Sequence, residues 1–246
     1  MIGTDSPPPT PSPSQTDVVI ERIKAMIMSG VLAVGSRLPI EKELSLELSV
    51  SRGSLREGVR ALAMMGVLET RQGDGTYVTS LAPNRLLAPM GFMVDLQTAA
   101  NSAHIQSVRR VLETEAAARA ATRISEEQLE RAAEILDLVE PHLDSTTLDT
   151  DKTIEVDIEF HRIIATASNN PTLEALIGVL AGRTPCAGHD SGAAHDSHRE
   201  HRAILAALTV HDLDRARIRM SSHLLEVEER LNTLDGQHLN DESEHR

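Results

Sequence analysis

Four side chains in the C-terminal half of the sequence have the types and spacing of a site for a divalent metal ion. Asp157 and His161 are four residues apart in one predicted helix, so their side chains project from the same face. His201 and His223 lie in two later predicted helices, each beside apolar residues. Three imidazoles and a carboxylate suit zinc, nickel, iron or manganese, and leave coordination positions for a ligand carboxylate. The alternative is a surface Asp–His pair with two unrelated histidines, since the sequence contains 11.

A second group with potential chemistry is a set of arginines near the N-terminus. Arg52, Arg56 and Arg60 recur every fourth residue, and Ser51 before them suits a helix N-cap because its hydroxyl can accept a bond from a free backbone amide. Guanidinium groups on one helix face can bond the O6 and N7 atoms of guanine or bind phosphates. Arginines at this spacing also occur on ordinary solvated helix faces, so the surrounding elements must decide between the two interpretations.

Those elements occur in the order of a winged helix-turn-helix. A short, half-buried helix is predicted over residues 40–48, and the arginine helix begins after Ser51. Two strand-like segments follow, 67–71 and 76–79, joined by a glycine-containing turn at 72–75. Two helices at turn spacing followed by a hairpin predict a domain that reads double-stranded DNA.

The same stretch closely resembles the N-terminal domain of GntR-type transcription regulators over residues 16–80. The resemblance is carried by Leu38-Pro39-x-Glu41-Lys42-Glu43-Leu44, Ser51-Arg52-x-x-Leu55-Arg56-Glu57, Arg60-x-Leu62, Gly66-x-Leu68 and Gln72-Gly73-x-Gly75-Thr76-Tyr77-Val78. It implies DNA contacts for Lys42, Ser51, Arg52, Arg56 and Gly73. Gly53 and Gly58 depart from the pattern, and because glycine within a helix costs about 0.5–1 kcal/mol relative to alanine, we expect a slightly frayed recognition helix.

Beyond the hairpin, strand signals vanish and helical periodicity dominates. It covers residues 84–97, 102–123, 126–143, 149–168, 171–182, 197–210 and 212–234. We therefore expect a mostly α protein, in which an N-terminal winged helix-turn-helix precedes a C-terminal all-α antiparallel helical bundle. The expected parts are a disordered tail (1–15), the DNA-binding domain (16–80), a helical domain for effector binding and dimerisation (84–234) and a tail (235–246).

The helical region resembles the ligand-binding domain of the FadR-type, or FCD, branch of the same family. The matching motifs are Arg109-x-x-Leu112-Glu113, Asp157-x-x-Phe160-His161, Ala167-Ser168-x-Asn170-Pro171, Glu200-His201-Arg202-x-Ile204-Leu205-x-Ala207 and Met220-x-x-His223-Leu224. The resemblance implies metal-ligand roles for Asp157, His161, His201 and His223, with zinc expected first and nickel, manganese or iron as alternatives. Arg109 is a candidate to bind an acidic effector, and an ion pair with Glu113 is an equal alternative.

Residues 185–197 fit that pattern less well. They contain glycines and the additional histidines His189 and His195, and His198 follows directly. We expect most of this segment to be disordered. The three histidines are therefore poor candidates for metal ligands, because a flexible loop loses conformational entropy when it binds an ion.

The composition of the 246-residue chain limits its class. Residues 16–80 contain eight Lys/Arg and eight Asp/Glu, so the net charge of −13 lies outside the predicted DNA-binding domain, and clustering rather than total charge indicates DNA binding. Cys186 is the single cysteine, which excludes an intramolecular disulfide and fits a reducing compartment. No segment approaches the roughly 20 apolar residues of a membrane helix, so we expect a cytoplasmic protein with no membrane partner.

The leading hypothesis is a metabolite-responsive transcription regulator and not an enzyme. It would act as a repressor that binds a palindromic DNA operator as a homodimer and senses a small organic acid beside the metal ion. One alternative is a metal-dependent enzyme fused to a DNA-binding module, although no HExxH-like general base accompanies the ligands. Another alternative is a direct sensor of the metal.

Overall fold

The computed structural model describes residues 13–96, 102–143, 150–181 and 191–244. The chain divides into two compact units, Met1–Pro89 and Met90–Arg246. Within the described ranges, no helix is both long and apolar enough to span a bilayer. The predicted disordered segment 1–15 lies largely outside the described residues, which begin at residue 13.

The N-terminal unit is built from helices and one hairpin. Its elements are α1 (Gln15–Met28), α2 (Glu41–Glu47), α3 (Arg52–Met64), β1 (Leu68–Arg71) and β2 (Gly75–Val78). Helix α3 begins where predicted, because the side chain of Ser51 accepts a hydrogen bond from the amide of Ser54 at 3.0 Å. Strands β1 and β2 pair antiparallel, with Leu68 opposite Val78. The winged helix-turn-helix prediction is confirmed.

Gly58 lies where α3 packs against α1. A Cβ atom at this position would be 2.5 Å from Cγ1 and 2.8 Å from Cβ of Val19, which is fully buried. Helix α3 is continuous through both Gly53 and Gly58. The missing side chain at position 58 therefore permits a close approach of two helices, which offsets its cost in helix propensity.

The C-terminal unit is helical throughout its described residues, and α4 crosses the boundary between the units. The helices are α4 (Pro83–Asp95), α5 (Ser102–Ala121), α6 (Glu126–Asp137), a 3-10 turn (Glu140–His142), α7 (Thr150–Ala167), α8 (Pro171–Ala181), α9 (Ser191–Thr209) and α10 (Leu213–Glu244). Helices α5, α6, α7, α9 and α10 pack around one apolar core. The predicted mostly α fold with a helical C-terminal domain is confirmed.

Three helix boundaries differ from the sequence prediction by more than two residues. Helix α6 ends at Asp137 rather than at residue 143, because Pro141 has no backbone N–H to continue the α-helical hydrogen bonds, and residues 140–142 form a 3-10 turn instead. Helix α9 begins at Ser191, so the expected disorder is wrong for residues 191–197, while 185–190 lie outside the described residues. Ala194 is buried, and this packing outweighs the helix cost of a nearby glycine. Helix α10 continues past residue 234 to Glu244, since extending an existing helix costs little.

Candidate metal centre and nucleic-acid interface

The four predicted metal ligands come from three helices and meet at one point of the C-terminal unit. Asp157 and His161 lie on α7, His201 on α9 and His223 on α10. Each offers one ligand atom, and these four atoms all lie within 4.8 Å of one another. The three histidines are buried, whereas the side chain of Asp157 is 24% exposed. The carboxylate therefore lies on the accessible side of the cluster.

The packing of the helices fixes this arrangement. Phe160 precedes His161 on α7, Ile204 follows His201 by one turn on α9, and Leu224 follows His223 on α10. These three apolar side chains are fully or almost fully buried in the same core. The apolar periodicity of each helix thus determines which way its histidine points.

The distances within the cluster are those of ligands to a shared ion. The Nε2 atoms of His201 and His223 are 3.2 Å apart, and Asp157 Oδ1 lies 3.3 Å from His201 Nε2 and 3.9 Å from His161 Nε2. Nitrogen ligands at about 2.1 Å from one metal ion, at angles between square and tetrahedral, are separated by about 3.0–3.4 Å. The two distances at His201 Nε2 therefore match ligands of one ion, whereas the 3.9 Å distance at His161 Nε2 is wider than such a pair requires.

A buried nitrogen atom without a hydrogen-bond partner supports the same interpretation. His161 Nε2 is inaccessible to solvent and forms no hydrogen bond. Leaving a buried polar atom unpaired costs about 1–3 kcal/mol, and a metal ion would remove this cost by coordination. The donor set of three imidazoles and one carboxylate suits a divalent transition metal. These residues fit the ion that the sequence predicted.

Two glutamates behind the histidines were not recognised as part of the site from the sequence. Glu113 Oε2 on α5 bonds Nδ1 of His161, and Glu200 Oε2 on α9 bonds Nδ1 of His223 at 2.7 Å. Glu200 directly precedes His201, and Glu113 was considered only as an ion-pair partner. A carboxylate behind a ligand histidine is a common requirement of metal sites, so a search for acidic residues near the histidines could have found them.

Arg109 is buried in the same region and pairs with Glu113. Its Nε donates to Glu113 Oε1 at 2.8 Å, and its Nη1 donates to Gln106 Oε1 at 3.3 Å. Arg109 and Glu113 are 5% and 2% exposed. The ion pair that the sequence offered as an alternative is thus present, and an effector contact of Arg109 stays a prediction.

The protonation of the site follows from burial and these charges. Burial and the neighbouring His161 lower the pKa of His223 to about 3, and burial followed by His223 lowers the pKa of His201 well below its usual value. Burial also opposes ionisation of Glu113, but Arg109 and His161 outweigh it and lower the pKa of Glu113 to about 2. His201 and His223 are therefore neutral near pH 7, as metal ligands must be. At His161 burial is outweighed by the charge of Glu113, which raises the pKa of this ring, so a metal ion would displace a proton there.

The additional histidines His195 and His198 are not part of the cluster. Both lie on α9 rather than in a flexible loop, so the entropy argument used against them is wrong. Their position excludes them instead. His198 accepts a bond from Arg202 Nε at 3.4 Å, and Arg202 also binds Asp137 on α6. His189 lies outside the described residues.

The predicted DNA-contacting residues lie at the surface of the N-terminal unit. Lys42, Arg52 and Arg56 are exposed on α2 and α3. Ser51 is exposed at the start of α3, where its hydroxyl caps the helix. Gly73 is exposed in the hairpin turn with a φ of 74°, a conformation that glycine adopts without strain.

The surface between the helices and the hairpin forms a groove. It has a volume of about 510 Å³ and is bordered by Glu41 and Arg56 and by Thr76 of β2. Arg56 is held at its edge by Glu41, with Nε–Oε1 and Nη2–Oε2 distances of 3.0 and 2.8 Å. The hydrogen bond from Arg56 lowers the pKa of Glu41. Arg56 of α3 is thus paired with Glu41 of α2 at the edge of the groove.

The fold and the exposed arginine helix place the chain in the class of transcription regulators with a winged helix-turn-helix. The family model "Bacterial regulatory proteins, gntR family" matches residues 15–78, and the model "FCD domain" matches residues 104–226. The chain belongs to the GntR family of transcription regulators and carries its FCD domain.

Curated relatives and solved structures agree with this family. The chain is 33% identical to the uncharacterized HTH-type transcriptional regulator YcbG of Bacillus subtilis, over 87% of this chain and 88% of that protein. It is 29% identical to the HTH-type transcriptional repressor NanR of Cronobacter sakazakii, over 86% and 83% of the two chains. The structure of a GntR protein of Streptococcus agalactiae matches with a TM-score of 0.62 and 28% identity, covering 87% of this chain and 99% of that one. These relatives are named as regulators and not as enzymes.

Proposed function

We propose that this chain is a repressor that binds a palindromic operator as a homodimer, and that a small organic acid bound beside a divalent metal ion controls its affinity for DNA. DNA binding is assigned to residues 16–80, and effector binding and dimerisation to residues 84–234. The repressor assignment is supported by the name of the relative NanR. The convergence of three buried imidazoles and one partly exposed carboxylate is the observation that carries the effector assignment.

The metal centre is assigned to Asp157, His161, His201 and His223. Zinc is the first candidate, and nickel, manganese or iron suit the same donors. Four protein ligands leave coordination positions on such an ion, and a bound ion supplies a fixed positive charge for the carboxylate of an effector. The 24% exposure of the Asp157 side chain supports access of an effector to an ion bound at this cluster.

Operator recognition is assigned to Lys42, Ser51, Arg52, Arg56 and Gly73. The three basic side chains are exposed on adjacent helices, and Gly73 lies in the hairpin that forms the wing. Two such units are needed for tight operator binding, because one module makes few contacts and must be distinguished from many competing genomic sites. Two-fold symmetry of the dimer then requires two-fold symmetry of the operator.

The experiment that tests this proposal begins with the protein as purified. Elemental analysis identifies the metal, and mass spectrometry of the denatured supernatant identifies any organic acid that co-purifies. An operator selected from random duplexes is then titrated with the protein, and the mass of the complex is measured by sedimentation. We expect one metal per chain, two chains per operator and release by the acid. A metal-free protein, or one chain on a single half-site, would contradict the proposal.

A further inference from the structure

The metal centre has a second layer of carboxylates that determines which nitrogen of each histidine can bind the ion. We infer that Glu113 and Glu200 are positioning residues that hold His161 and His223 with the proton on Nδ1, so that both Nε2 lone pairs face the metal position. This inference rests on the proposed metal site and concerns residues that have not been assigned to it.

The donor and acceptor groups of glutamate and histidine determine which atom holds the proton. An ionised carboxylate accepts hydrogen bonds and donates none. Because Glu113 Oε2 bonds Nδ1 of His161, and Glu200 Oε2 bonds Nδ1 of His223 at 2.7 Å, each Nδ1 must be the donor. A neutral imidazole has one donor and one acceptor nitrogen. When the rings are neutral, as metal ligands must be, the acceptor is therefore Nε2 in both.

The Nε2 atoms of His161 and His223 both face the proposed metal position. His161 Nε2 is buried without a hydrogen-bond partner, and His223 Nε2 lies 3.2 Å from the Nε2 of His201. Both atoms belong to the cluster whose ligand atoms lie within 4.8 Å of one another. The two carboxylates thus select the one tautomer that directs lone pairs inward, and their negative charge makes these nitrogens stronger ligands.

The surroundings of the two glutamates show why they stay in place. Glu113 is 2% exposed and is bound on its other oxygen by Arg109 Nε, whose Nη1 bonds Gln106 one turn earlier on α5. Arg109 compensates the charge of Glu113, so the pair buries no net charge beside His161. Glu200 has a side-chain exposure of 15% and lies on α9 immediately before the ligand His201. One positioning residue is therefore deeply buried, and the other lies near the surface.

This difference determines the choice of variants. Glu113→Gln removes the buried carboxylate that pairs with Arg109 and is expected to destabilise the fold. Glu200→Ala and Glu200→Gln can be made at less risk. The matched control is Glu228→Gln, since Glu228 is a 19% exposed carboxylate on α10 that pairs with Arg110 and does not belong to the cluster of proposed metal ligands.

The first measurement is the Zn²⁺ dissociation constant of the full chain, from competition with a chromophoric chelator at fixed pH. Glu200→Ala is expected to weaken binding by about 10- to 100-fold, and Glu200→Gln by less, because glutamine keeps an acceptor but loses the charge. Glu228→Gln should bind like the wild type. If Glu200→Ala binds Zn²⁺ within about threefold of a tightly binding wild type, the inference is wrong. If the wild type binds no Zn²⁺, the proposed metal site itself is wrong.

The second measurement is the tautomeric state, which a purely structural role of the glutamates would not fix. Against the effect of burial, the charge of Glu113 raises the pKa of His161, so nitrogen-15 NMR of the metal-free wild type is recorded at a pH high enough for both rings to be neutral. It should show protonated Nδ1 and unprotonated Nε2 for His161 and His223. In Glu200→Ala this pattern should be lost for His223 and kept for His161. If a neutral ring of the wild type carries its proton on Nε2, the role of the glutamate bound to that ring is wrong. Because this result comes from the wild type, it also tests Glu113, which cannot be replaced without risk to the fold.

Discussion

The Nε2 atoms of His201 and His223 lie 3.2 Å apart, although the residues are 22 positions apart on separate helices. Neither ring is exposed, and His161 and Asp157 complete the group from a third helix. Burial of so many polar atoms at one point costs free energy unless they are satisfied. We therefore regard this pair as the centre of the proposed sensing site, and the following predictions test it together with the DNA-binding unit.

Removing single ligands should empty the metal site without affecting its neighbours. His201→Ala and His223→Ala are expected to lower the metal content of the purified protein, whereas His195→Ala and His198→Ala should leave it unchanged, because only the first two residues belong to the cluster. Elemental analysis of the four variants measures this directly. Full metal occupancy in either His201→Ala or His223→Ala would contradict the site.

The metal-free protein should lose stability on mild acidification. Burial lowers the folded-state pKa of His223 to about 3 and also lowers that of His201. At pH values between these lowered pKa values and the unfolded value of about 6.5, the unfolded chain therefore binds more protons than the folded chain. The free energy of unfolding should therefore fall as the pH drops below about 6.5, by at most about 1.4 kcal/mol per pH unit for each histidine.

Urea unfolding of the metal-free wild type and of His223→Asn, followed by circular dichroism at several pH values from 6.5 down to 4.5, checks this sign. The variant should show the shallower dependence. Glu113, whose pKa is lowered to about 2, adds a loss in the same direction only below its unfolded value of 4.5. A stability that is constant or increases as the pH falls through this window would contradict the buried, neutral state of the two histidines.

The recognition helix should discriminate its operator through arginines. Arg52→Ala and Arg56→Ala are each expected to lower the ratio of operator affinity to random-DNA affinity. The loss should correspond to about 1–3 kcal/mol of binding free energy, the usual value of a bidentate base contact. Arg22→Ala, an exposed arginine on α1, serves as the control and should leave the ratio unchanged. Fluorescence anisotropy with both duplexes gives the ratio. If both α3 variants discriminate like the wild type, α3 does not read the bases.

The two glycines of α3 should respond in opposite directions to alanine. A Cβ at position 58 would meet Val19 at 2.5 Å, so Gly58→Ala is expected to destabilise the N-terminal unit by about 1–3 kcal/mol. At position 53 the nearest atom is the hydroxyl of Ser51 at 3.7 Å, so Gly53→Ala should stabilise by up to about 1 kcal/mol. Thermal unfolding followed by the fluorescence of Tyr77, the single tyrosine, reports on this unit. Equal shifts of the same sign would contradict the packing argument.

Local patterns in the sequence were sufficient for most of the architecture. The N-cap at Ser51, the glycine turn of the hairpin and the spacing of Asp157 and His161 each depend on neighbouring residues, and each is found where predicted. The role of Gly58 could not be predicted in this way, because it depends on packing against Val19, which lies 39 positions earlier in the sequence. The bond from Glu113 to His161 likewise joins α5 to α7, and no local pattern marks such a contact. The start of α9 was missed because the sequence does not show that Ala194 is buried.

The most direct test of the proposed sensing mechanism compares operator release by metal-loaded and metal-stripped protein. Operator-bound wild type is titrated with a panel of small carboxylates, first with the metal ion present and then after its removal by a chelator, with His223→Ala as a third sample. We expect at least one acid to release the DNA from the metal-loaded wild type, and none to do so from the other two samples, which should still bind the operator. Release by the same acid at the same concentration without metal would contradict the account, and release on metal removal alone would show that the ion itself is the signal.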